Sequence, residues 1–253
     1  MSYQVADGER PPAPAARTGR VKLLVVVSLV ALVGFVFANL VSAVPFFAGL
    51  DEVTAFVASI ALYGTGLVVA SVAYLALTGR GLSYLDFRSP TRAALVVTLG
   101  GFVGATVFRF VAIAAALVLG LPIAGNSATL PAQEGLTVTL LWLVPLSLLF
   151  IGPGEELLFR GVVQKRLYDR FSKRAAVVLA SVPFALVHVP TQYLATPDWG
   201  AVTVTTVIVF GISLILGWVY ARTDNLLVPI LVHGLYDAFA VGLAYLVISN
   251  GLA

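Results

Sequence analysis

Long, nearly uncharged apolar runs recur along almost the whole of this chain, and the short connectors between them hold most of its charge. Seven such runs lie near Leu23–Phe47, Val53–Leu77, Ala93–Leu119, Val138–Tyr168, Ala175–Val187, Val202–Tyr220 and Leu226–Ile248. A hydrocarbon core ~30 Å thick is crossed by about 20 helical residues, so each run except the short fifth is long enough to span it. Within lipid every backbone polar group must find a partner inside the structure, which restricts spanning segments to helices or closed barrels. These runs are continuously apolar and do not alternate as barrel strands do. The expected fold is therefore an all-α, polytopic transmembrane bundle of about seven spans. Composition agrees: 60% of residues are hydrophobic and 11% charged, against about 25% charged in soluble domains.

Loop charge orients the spans. Arg10, Arg17, Arg20 and Lys22 precede the first run, and Asp51 and Glu52 follow it. Arg80, Arg88 and Arg92 come next, then a stretch ending at Glu134, then Lys165, Arg166, Arg170, Lys173 and Arg174, then Asp198, then Arg222. Lys and Arg thus fall on every second connector, as expected for a multi-pass plasma-membrane protein with a cytoplasmic N-terminus. The net charge of +3 is dispersed and gives no nucleic-acid footprint. Residues 1–20, rich in Pro, Ala and Arg, read as a disordered cytoplasmic tail, and residues 21–253 as one membrane domain. The connector Thr78–Arg92 reads as carrying a short interfacial helix around Leu82–Phe87. Trp142, Trp199 and Trp218 read as interfacial anchors or packing.

Ionisable groups at membrane depth are costly, so they face the bundle interior and mark function by default. Three sets stand out: Glu155, Glu156 and Arg160 on the fourth run, His188 on the fifth, and His233 with Asp237 on the seventh. With ~1.5 Å of rise per residue, Glu155 lies ~15 Å in from Lys165, His188 ~21 Å in from Arg174, and His233 ~12 Å in from Asn225. All three reach the middle of the membrane. Glu156 and Arg160 are four apart, spaced for an internal ion pair, and His233 and Asp237 share a helix face by the same spacing. Gly152-Pro153-Gly154 is expected to break the helix and make room for water beside Glu155. Arg109, inside the third run, reads as a structural partner.

A carboxylate and two imidazoles in a wet cavity suffice for hydrolysis. The carboxylate takes a proton from water, imidazole orients that water or protonates the leaving amine, and His233 with Asp237 is placed to stabilise an oxyanion. The same groups, Glu155, His188, His233 and Asp237, are also zinc ligands that leave a position open for water. Cysteine is absent and no serine adjoins either of the two histidines, which argues against a covalent nucleophile. Two other readings stand beside hydrolysis. One is a non-catalytic membrane scaffold. The other is a proton-relay transporter, which calls for inverted repeats and paired broken helices.

Glu155-Glu156-x-x-x-Arg160, Phe184-x-x-x-His188 and His233-x-x-x-Asp237, in this order, resemble the CPBP (ABI) family of intramembrane proteases, which includes the type II CAAX prenyl endopeptidases of the Rce type. The resemblance covers about Leu141–Ala244. It implies an intramembrane endopeptidase acting on membrane-associated proteins or peptides, prenylated ones among the candidates, with a non-catalytic bacteriocin-immunity factor of the same family as the alternative. Glu155 would then activate water, His188 orient it, His233 and residue 237 stabilise the oxyanion, and Glu156 and Arg160 support the site. The family is commonly named as metalloproteases, so Zn2+ and a metal-free glutamate mechanism both stay open. Prenyl proteases of the family usually carry Asn where this chain has Asp237, and Asp is the better metal ligand.

Overall fold

The computed structural model describes residues 14–89 and 91–251. Among these, seven helices are long and apolar enough to cross a membrane, and no strand occurs. They are α1 (Pro14–Ser42), α2 (Glu52–Leu77), α3 (Arg92–Val118), α4 (Val138–Leu167), α5 with its continuation α6 (Lys173–Val187 and Val189–Ala195), α7 (Trp199–Thr223) and α8 (Leu227–Ser249). The chain is an integral, multi-pass membrane protein. Helix already runs at Pro14, inside the stretch read as a tail; residues 1–13 of that reading lie outside the described residues. The short interfacial helix is a single 3-10 turn, Leu82–Tyr84.

Two local expectations need correction. The fifth span does not end at Val187: it continues past His188 to Ala195. Pro190 sits in the first turn of α6, where its missing N–H removes no intrahelical bond. Nor does Gly152-Pro153-Gly154 break α4. Those residues form an α-helical piece, Gly152–Glu156, between π-helical stretches at Ser147–Ile151 and Leu157–Gln164. A proline ring crowds the carbonyl four residues back. The wide turn absorbs this, and the Gly152 N–H bonds Ser147 O instead.

Helix α4 sits at the centre, touching α1, α2, α5, α7 and α8, while α3 closes the bundle against α7 and α8. Glycines set how closely the neighbours approach. A Cβ on Gly154 would meet Gly64 O of α2 at 2.7 Å, and one on Gly152 would meet Gly234 N of α8 at 3.0 Å. Small residues let membrane helices bring their backbones together in this way, and here both contacts lie just before Glu155 in α4. Gly154→Ala should therefore destabilise. Alanine gains about 0.5–1 kcal/mol in helix propensity, but overpacking against a backbone costs about 1–3 kcal/mol. A thermal melt in detergent that rises for this variant would refute the close-contact account.

The bundle has one basic end. There Asp86, in the α2–α3 connector, accepts from Lys165 Nζ and from Tyr220 Oη, both at 2.7 Å, tying α4 and α7 to the loop. Burial pushes the nearby Tyr168 hydroxyl up to about 12. At the opposite end Asp51 caps α2, and hydrogen bonds from Thr54 hold its carboxyl below the usual carboxylate range. The three tryptophans are all exposed on the outer surface, as anchors require.

Candidate active site

Adjacent residues of α4 serve two different environments. Glu156 is fully buried and faces α8 and α7: its Oε1 lies 2.8 Å from His233 Nδ1 and 3.2 Å from Arg160 Nη1. Arg160 in turn donates to Ser213 O at 3.1 Å and Ser213 Oγ at 2.9 Å, and its guanidinium lies 4.5 Å from the Phe184 ring centre. This is the expected Glu156–Arg160 pair. Several neighbours hold it, as a buried charge demands.

Glu155, one residue earlier, faces a cavity of about 690 Å³. Tyr63 of α2 donates to its Oε1 at 2.9 Å. Its Oε2 has no protein donor and stands 3.7 Å from His188 Nε2 and 3.9 Å from His233 Nε2. Phe184 O can only accept, so the 2.7 Å contact to His188 Nδ1 puts a proton on that nitrogen. With its one proton on Nδ1, the imidazole form of His188 directs an Nε2 lone pair towards Glu155.

Both nitrogens of His233 face carboxylates, Nδ1 towards Glu156 and Nε2 towards Asp237 Oδ2 at 3.2 Å. Carboxylates accept, so this ring is satisfied as a double donor. The structure thus gathers Glu155, Glu156, Arg160, His188, His233 and Asp237 into one network, with all but Glu156 and Arg160 lining the cavity.

Zinc would need ligand atoms from Glu155, His188, His233 and Asp237 around one point. His188 Nε2 is available, but both His233 nitrogens are engaged by carboxylates. Among the described residues no three ligating side chains surround a common position. As arranged, these donors do not converge on one ion.

Some participants escape sequence reasoning. Tyr63 is 92 residues from Glu155, and its only local signal is a hydroxyl in an apolar run. Ser213 is equally inconspicuous in α7. Arg109 donates from Nη1 to Tyr236 Oη at 3.1 Å and lies over that ring. Its structural partner is thus the residue beside Asp237.

The fold and site define a class: a polytopic helical membrane protein with a glutamate–histidine constellation buried at a cavity between its spans. Residues 137–239 match the family model described as Rce1-like, type II CAAX prenyl endopeptidase. The match contains all six residues of the network and Ser213, whereas Tyr63 precedes it. No curated protein and no solved structure matches the chain.

Proposed function

We propose that this protein is an intramembrane endopeptidase that hydrolyses peptide bonds with water activated by Glu155. The observation that carries the reading is the free Glu155 Oε2 beside the His188 lone pair, 3.7 Å away. A water molecule within hydrogen-bond reach of both acceptors would have both hydrogens engaged and a lone pair directed at the scissile carbonyl. On attack the C–O bond forms and the proton passes to Glu155. The oxyanion takes the place of Asp237 as acceptor of the His233 Nε2–H, the longer of that ring's two contacts, while Glu156 keeps the ring oriented from Nδ1. Collapse breaks the C–N bond, and Glu155 returns its proton to the leaving amine.

The basic end of the bundle is assigned to the cytoplasm, and with it the N-terminus, in the plasma membrane. Substrates are membrane-associated proteins or peptides. The family match makes prenylated C-terminal peptides the first to try.

The test compares membrane-protein N-termini by mass spectrometry in cells carrying wild type or Glu155→Gln at matched abundance. New N-termini that depend on Glu155 support proteolysis and name the substrates. Identical profiles with an unchanged phenotype would replace the protease with a non-catalytic scaffold. A second expectation concerns metal: cleavage by the purified protein should persist in the presence of o-phenanthroline. Loss of cleavage with chelator and recovery with added zinc would overturn the metal-free route.

A further inference from the structure

A groove of about 380 Å³ runs between α5 and α7 at the basic end, away from the catalytic cavity. Lys173, Arg174 and Arg222 form its rim, and Val177, Leu214 and Trp218 lie along its floor. The rim carries an excess of positive charge. Asp224 takes up Lys173, at 2.5 Å and 2.7 Å from its Nζ, whereas Arg174 and Arg222 have no hydrogen-bond or ion-pair partner among the described residues. Both arginines are exposed, as is Trp218.

Depth decides what such a groove can hold. Arg222 ends the α7 span. With helical rise, Trp218 lies ~6 Å and Leu214 ~12 Å further into the membrane on the same face. Cations at headgroup level, an indole below them and aliphatic side chains deeper still reproduce the profile of one lipid leaflet. A soluble anion would use the rim and leave the floor idle. A zwitterionic lipid would use the floor, but its own cation would oppose the arginines.

We infer that this groove binds the headgroup of an anionic phospholipid, with its phosphodiester between Arg174 and Arg222 and one acyl chain along Val177, Trp218 and Leu214. Such a lipid bridges the helix that leads to His188 and the helix whose Ser213 holds Arg160, so it braces both supports of the site from the basic end.

Native mass spectrometry of the full-length protein in detergent tests this, with phosphatidylglycerol and phosphatidylcholine of matched chains as probes. Wild type should retain one phosphatidylglycerol in preference to phosphatidylcholine. Arg174→Gln with Arg222→Gln should weaken that retention by roughly 10- to 30-fold. The charge-matched control Arg80→Gln with Arg92→Gln, at the same end but outside the groove, should leave it unchanged. Equal retention of the two lipids, an unaffected groove variant, or an equal loss in the control would overturn the site. Displacement of phosphatidylglycerol by excess inorganic phosphate would also overturn it, in favour of a soluble-anion site. Thermal melts of both variants without lipid check that each is folded.

Discussion

Glu155→Gln is expected to lower cleavage by about 10²–10⁴-fold, the range that a positioned general base contributes. The amide has nearly the volume of the carboxylate, and its oxygen can still accept from Tyr63. The α2–α4 contact is therefore preserved and the melting temperature should stay within a degree or two of wild type. What disappears is a group able to take a proton from water and return it to the amine. Rates on a substrate found by the N-terminal comparison, measured beside the thermal melt, separate this from misfolding. Retention of activity within threefold would remove Glu155 from the chemistry, and an equal collapse of stability would make its role structural.

The second large effect concerns the charge behind the site. Arg160→Met should destabilise by about 3–5 kcal/mol, because Glu156 keeps its burial and loses its cation. For a chain of this size that corresponds to a fall in melting temperature on the order of 10 °C. Replacing both partners, Glu156→Leu with Arg160→Met, should recover most of that stability, since removing a buried pair in full leaves no stranded charge. It should not recover activity, because His233 loses the acceptor at 2.8 Å that fixes its ring. Separation of stability from turnover in the double variant is the diagnostic result. A single variant that loses less than about 1 kcal/mol would mean that Glu156 finds water or another donor when Arg160 is gone.

The spans and the convergence of the site were legible because both depend on length along one chain. A run of apolar residues is measured against a fixed bilayer thickness, and a buried Glu or His is placed by counting helical rise from a charged loop. The Glu156–Arg160 and His233–Asp237 pairs were legible for a similar reason, since four-residue spacing is a property of one helix. Local irregularities were read less well. Val189-Pro190 looked like the end of a span, yet proline is tolerated in the first turn of a restarting helix. Gly152-Pro153-Gly154 looked like a break, yet π turns on either side absorb the proline and keep α4 continuous.

Contacts between helices were decided only by tertiary structure. Nothing local shows that Tyr63 meets Glu155, that Arg109 meets Tyr236, or that both His233 nitrogens face carboxylates. In water an amphipathic pattern reveals which face of a helix turns inward. In a bilayer the lipid side and the packed side are both apolar, so that pattern fades and each helix's rotation is left to its neighbours. By itself the sequence determined how many helices cross the membrane and at what depth the reactive groups lie. The glycine contacts that seat α2 and α8 against α4 decided which of those groups touch.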